Sequence, residues 1–222
     1  MSEKALRKLG IAKIDDPDFK PTKGVLVRIS PQQFQQIKHD LKPILADLGD
    51  PGFWRAGGAG SFDPEHRYAK KGTTKIDSGD IDVFLDTDMI KQKQGLDASM
   101  DDSAVRDVVM KYMTDNQFPA IKIGKNVHIG FPTGQEVQGL PTYFQVDLMT
   151  MQHAHEIGQH HEHDYSVKNT PYKGVDQQLA LASLVNSIPG HAPKTFQYDG
   201  FGGALKNRAT GEVITRNIDK VA

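Results

Sequence analysis

Residues 80–86 read Asp80-Ile81-Asp82-Val83-Phe84-Leu85-Asp86. Carboxylate and apolar side chains alternate at the start of this stretch, which then turns apolar. That pattern predicts a strand leaving a buried sheet at its polar end. Side chains at i and i+2 share one face of a strand, about 6–7 Å apart along the backbone. Asp80 and Asp82 therefore point the same way, and two carboxylates so placed repel unless a cation lies between them. For a lone Asp-x-Asp the plain alternative is a solvated strand end. A second apolar run, Tyr143-Phe144-Gln145-Val146-Asp147-Leu148-Met149, carries a third carboxylate. A charge amid such neighbours is costly if buried and unpaired. A metal shared with Asp80 and Asp82 would resolve that cost, and so would an ion pair with a lysine or arginine.

The flanking sequence supplies the other layers. Residues 1–30 mix charge with Pro17 and Pro21 and read as an N-terminal arm, with a short strand at Gly24–Ile29. Ser30-Pro31 gives an N-cap followed by proline at the first helical position. Phe34, Ile37, Leu41, Ile44 and Leu48 follow at helical spacing, and Gly49 marks the end. Residues 52–60 predict a strand ending in a glycine-rich turn, and Asp63-Pro64-Glu65 reads as a helix start. A helix is predicted over 101–116, strands over Ala120–Phe131 (turning at Gly124-Lys125-Asn126) and Thr142–Met151, and a helix over Val175–Ile188. The tail carries a hairpin signal around Ala209-Thr210-Gly211. Strands alternating with helices describe an α/β (α+β) domain over 31–152, followed by a small, mainly helical C-terminal part over 165–222.

Composition narrows the function classes. The chain has 222 residues, no cysteine and a net charge of −1. A disulfide framework and a thiolate metal site are excluded. A protein that neutralises many phosphates usually carries a basic excess, so a broad nucleic-acid surface is not predicted. The N-terminal sequence MSEKALRKLG lacks the apolar core of a secretory signal, and no apolar run has the length of a membrane span. The expectation is a cytoplasmic protein with no membrane partner.

Gly57-Gly58-Ala59-Gly60-Ser61 adds the kind of turn whose backbone N–H groups bind anionic oxygens. Small residues that merely permit close packing are the alternative for this turn alone. Taken together, Gly60-Ser61, Lys71-Gly72-Thr73, Ser78-Gly79-Asp80-Ile81-Asp82-Val83 and the distant Asp147 resemble the nucleotidyltransferase superfamily typified by DNA polymerase beta. The nearest branches are the archaeal-type CCA-adding enzymes and the oligoadenylate-synthase-like and cyclic-nucleotide-synthase-like group. The resemblance spans about residues 53–150, and only the combined motif is specific. Two departures stand out. Asp63–Tyr68 lengthens the stretch behind the phosphate turn, and Gly79 stands where the family has a serine directly before the first aspartate.

The resemblance implies a mixed sheet with flanking helices and a catalytic set of Asp80, Asp82 and Asp147. That set would hold two Mg²⁺ ions, with Mn²⁺ able to substitute. Asp147 would also orient or deprotonate the acceptor hydroxyl. Gly60 and Ser61 would hold the β- and γ-phosphates of a nucleoside triphosphate. Lys71, Gly72 and Thr73 would complete the nucleotide site, and Lys173, or Lys168, would grip the triphosphate. The implied reaction moves a nucleoside monophosphate to an acceptor hydroxyl with release of pyrophosphate. The acceptor stays open among an RNA 3′ end, a protein hydroxyl, a nucleotide and a small molecule. A catalytically inactive nucleotide-binding module of the same fold is the alternative, motivated by Gly79 and the short second domain. A separate zinc reading attaches to His153, His155, His160, His161 and His163, against an exposed polar loop. The end Asp219-Lys220-Val221-Ala222 has no evident cap, which leaves room for a further segment holding the acceptor site.

Overall fold

The computed structural model describes residues 3–49, 54–56, 62, 76–154, 157, 174–187, 195–199 and 203–217. In chain order they form α1 (Glu3–Arg7), β1 (Ile11–Ala12), β2 (Gly24–Leu26), α2 (Pro31–Leu48), β3 (Trp54–Ala56), β4 (Asp80–Asp86), α3 (Thr87–Lys93) and α4 (Asp102–Asp115). Then follow β5 (Ala120–Ile123), β6 (Asn126–Val137), β7 (Leu140–Met151), α5 (Gly174–Ser187), β8 (Phe196–Asp199), β9 (Ala204–Asn207) and β10 (Val213–Thr215).

Local chemistry sets the long helix. The Ser30 hydroxyl accepts from the Gln33 amide at 3.3 Å, while the Gln33 side chain accepts from the Ser30 amide at 2.8 Å. This reciprocal capping box satisfies two helix-end donors at once. Pro31 begins α2, and Gly49 ends it at φ 128°, a backbone region that favours glycine.

β7 organises a seven-stranded mixed sheet. β6 runs antiparallel along one edge of β7, and the two join through Gln138-Gly139. Both turn residues have positive φ, 53° and 77°, as a two-residue hairpin turn needs to match strand twist. Tyr143 pairs with both Pro132 and Leu26, and Gln145 with both Gly130 and Asp80. The other edge of β7 is thus shared end to end by two parallel strands, β2 and then β4. β3 lies antiparallel beyond β4, β1 parallel beyond β2, and β5 antiparallel beyond β6.

The strand period of two sorts side chains between the faces. Ile81, Val83 and Leu85 of β4, Val127, Ile129 and Phe131 of β6, and Phe144, Val146 and Leu148 of β7 enter one core. Phe34, Ile37, Leu41, Leu45 and Leu48 of α2 and Val105, Val109 and Met113 of α4 cover them. Each such side chain contributes about 1.5–3 kcal/mol by leaving water. The alternate residues of the same strands face the opposite way, and among them are Asp80, Asp82 and Asp147.

Several features depart from the sequence reading. Within residues 1–30, α1 and β1 form, and Leu6, Ile11 and Leu26 build a small buried cluster with Tyr143 and Ile121 against it. The strand expected over Gly24–Ile29 closes at Leu26, after which Ile29 makes a single bridge to Ser78. β6 runs past Phe131 to Val137, its last residues mostly exposed. α3 follows β4 without a loop, because the Asp86 carboxylate caps it through the amides of Asp88 and Met89 at 3.0 and 3.2 Å. In the C-terminal part, where a mainly helical region is expected, the described residues hold one helix, α5, and also a three-stranded antiparallel sheet. Three strands this short leave little hydrophobic periodicity to read, which is why only β9 and β10 were legible. The helix start at Asp63 lies outside the described residues. Among the described residues, no helix is long and apolar enough to cross a membrane.

Candidate metal centre

Parallel pairing of β4 with β7 creates the site. In that register Asp82 lies opposite Asp147, and Asp80 opposite Gln145. Paired residues on neighbouring strands share a face, so three carboxylates converge from two strands. A ligand oxygen from each of Asp80, Asp82 and Asp147 lies within 4.8 Å of those of the other two. Asp80 and Asp82 are half-buried, whereas Asp147 is 2% exposed. At such separations like charges repel by about 3.5 kcal/mol or more per pair for an effective dielectric near 20.

The row continues onto β6, where His128 stands opposite Asp147. His128 is 5% exposed, and its Nδ1 lies 2.8 Å from Asp147 Oδ1. An ionised carboxylate only accepts, so Nδ1 carries the proton of this bond. Gln145, 1% exposed, donates from Nε2 to the same Oδ1 at 2.9 Å. Among the described residues its own Oε1 is buried without a donor. Among the described residues, the partners of the buried Asp147 carboxylate are therefore a histidine and an amide rather than a lysine or arginine.

Two apolar clusters bracket these polar rows on the same sheet face. Tyr143, two residues before Gln145, packs with Leu26 and Ile121 against Leu6 and Ile11 of the N-terminal elements. At the other end Phe84, Met149 and Met151 pack with Ala154 and Ile157. The Ala154 amide also donates to Asp86 Oδ2 at 3.2 Å, tying the chain after β7 to the end of β4. The carboxylates thus sit in a polar window between two dry flanks.

Neither a scan against models of known protein families nor a search of curated proteins finds a match. The chemistry of the site must be read from its own atoms. Three carboxylates with converging oxygens are the donor set of a hard divalent cation such as Mg²⁺ or Mn²⁺ and suit soft metals poorly.

The structure brings together Asp80, Asp82 and Asp147. Gly60, Ser61, Lys71, Gly72, Thr73 and Lys173 lie outside the described residues, as do Lys168 and the histidine cluster beyond His153. His153 itself is exposed, with φ 56°. Two site residues escaped the sequence reading. Gln145 could have been found, since it stands two positions before Asp147 on one strand and so shares its face. His128 could not, because its place depends on the register of β6 against β7.

Proposed function

We propose that this chain is a metal-dependent nucleotidyltransferase built on a nucleotidyltransferase-type sheet. It moves a nucleoside monophosphate from a nucleoside triphosphate to an acceptor hydroxyl, and pyrophosphate leaves. The observation that carries the reading is the convergence of Asp80, Asp82 and Asp147 on one face of two parallel strands. The sequence pattern around Gly60-Ser61 and Lys71-Gly72-Thr73 supports it independently.

Asp80, Asp82 and Asp147 would hold Mg²⁺, or Mn²⁺ in its place, as a pair of ions. Bound there, the metal would neutralise charge on the phosphoryl oxygens and favour ionisation of the acceptor hydroxyl. The acceptor oxygen forms a bond to the α-phosphorus, and the bond from that phosphorus to the bridging oxygen breaks. The electron pair departs with pyrophosphate, and the hydroxyl proton passes to a carboxylate of the site or to water. Asp147 suits the proton-handling or orienting role because it is the buried member, with a fixed hydrogen-bond environment. Gly60 and Ser61 would hold the outer phosphates, Lys71, Gly72 and Thr73 would frame the nucleotide, and Lys173 would add a cation.

The test is label transfer from each α-labelled nucleoside triphosphate with Mg²⁺. It is run with total RNA, with a protein lysate and with neither, beside the Asp80→Ala/Asp82→Ala double variant. Transfer by the wild type that disappears in the variant is expected, and the labelled fraction names the acceptor class. Nucleotide binding without transfer under every condition overturns the enzymatic reading in favour of a binding module. Equal transfer by the double variant overturns the assignment of the carboxylates.

A further inference from the structure

We infer that His128 and Gln145 are positioning residues that fix Asp147 by one oxygen and so present its other oxygen to the cation, an inference that rests on the metal reading above. Both donors meet the same atom, Oδ1, at 2.8 Å from His128 Nδ1 and 2.9 Å from Gln145 Nε2. A carboxylate held at one oxygen by two donors cannot rotate about its Cβ–Cγ bond without losing both bonds. Asp82 faces Asp147 directly across the sheet, so the fixed rotation sets how the two carboxylates share a ligand. Outer hydrogen bonds of this kind orient metal ligands and typically change metal affinity 10–100-fold.

Stability alone does not explain Gln145. Its Oε1 is buried with no partner among the described residues, and an unsatisfied buried acceptor is unfavourable. A methionine of similar length would fill the site without that atom. What only the glutamine provides is the N–H aimed at Asp147. His128 makes a parallel case, since its buried ring is tied to the carboxylate through Nδ1 on the row that contains Asp82 and Asp147.

The geometry defines discriminating variants. Asparagine carries its amide nitrogen on Cγ, where histidine carries Nδ1, so His128→Asn keeps a donor at the required place. His128→Gln instead puts its nitrogen one atom further out, at the position of Nε2. Gln145→Met removes both the donor and the unpaired Oε1. Mn²⁺ binding to the full chain is measured by titrating the paramagnetic resonance signal of free Mn²⁺. Thermal unfolding in metal-free buffer accompanies each titration.

The expected result is near-wild-type Mn²⁺ affinity for His128→Asn and affinity weakened about tenfold or more for His128→Gln and Gln145→Met. Gln145→Met loses a donor to the buried carboxylate but also sheds the unpaired Oε1, so its metal-free melting temperature should stay close to that of the wild type while Mn²⁺ affinity falls, a separation that a purely structural role for the amide would not give. If His128→Asn loses as much affinity as His128→Gln, or Gln145→Met binds Mn²⁺ like the wild type, the inference is overturned while the metal site stands. If the wild type binds no Mn²⁺, the metal reading fails and takes the inference with it. Should His128→Gln fail to fold, His128→Asn and Gln145→Met still decide the matter.

Discussion

Asp82 and Asp147 face each other across β4 and β7 from opposite states of burial, one half-exposed and one 2% exposed. A cation joining them would bind only the folded chain, because the two residues are far apart in sequence and meet through strand pairing. Ligands of that kind stabilise by mass action, and at ten times the dissociation constant the gain is about 1.4 kcal/mol. Mg²⁺ at that excess should raise the thermal midpoint of the wild type. Asp82→Asn, which keeps the shape and removes the charge, should abolish the rise while leaving the circular dichroism spectrum of the fold unchanged. Calorimetry in chelator and in Mg²⁺ checks this, and an equal rise in the variant would place the ion elsewhere. The individual carboxylates were legible in the sequence, because charge inside an apolar strand is conspicuous. Their compensation was not. The sequence reading allowed Asp147 a metal or a basic partner and did not reveal the hydrogen bonds from His128 and Gln145, because a histidine within an ordinary strand signals nothing until the register is known.

Elements whose signals are local were read close to their true bounds. β4 spans Asp80–Asp86 as the alternation predicts, and α2 begins at Pro31 under the Ser30 cap. Ser30→Ala removes one half of the capping box and should cost about 1 kcal/mol in urea unfolding, with no effect on Mn²⁺ binding, since α2 packs on the opposite face of the sheet. What stayed hidden depends on pairing: the two-strand sharing of one β7 edge, the length of β6, and the docking of α1 and β1. Tyr143 shows how tightly that pairing is built. A Cβ at Gly24 would lie 2.4 Å from Tyr143 Cε2, and one at Gly130 would lie 3.1 Å from Cδ1. Gly24→Ala should therefore destabilise by about 1–3 kcal/mol through overpacking. The same change in a Tyr143→Leu background should cost clearly less, because the clash is with the ring. Additive costs in a double-mutant cycle would show that the strain lies in the backbone instead.

Across the whole molecule, stability is divided between the large core under α2 and α4 and smaller clusters elsewhere, one of them formed by Leu181, Val185 and Tyr198. Small clusters are the weak points, and Tyr198 makes this one sensitive to alkali. Burial, with help from the neighbouring Asp199 charge, pushes its phenol up from 10.0 to about 12. The folded state therefore keeps this proton after the unfolded chain has lost it. Its contribution is full below pH 10, declines as pH rises through the interval up to about 12, and is gone above it. A separation of that size corresponds to a loss of at most about 3 kcal/mol, reduced by solvent screening at the ring's accessible edge. Tyr198→Phe has no phenol to titrate, so the stability difference between wild type and variant should stay level up to pH 10 and then shift towards the variant. The Lys206–Asp199 ion pair, 2.6 Å long, is present in both proteins and cancels in the difference. Urea unfolding at half-unit steps from pH 8 to 12 measures it directly. A difference that stays constant over the whole range would mean that the phenol ionises alike in both states, and that this corner of the fold is open to water.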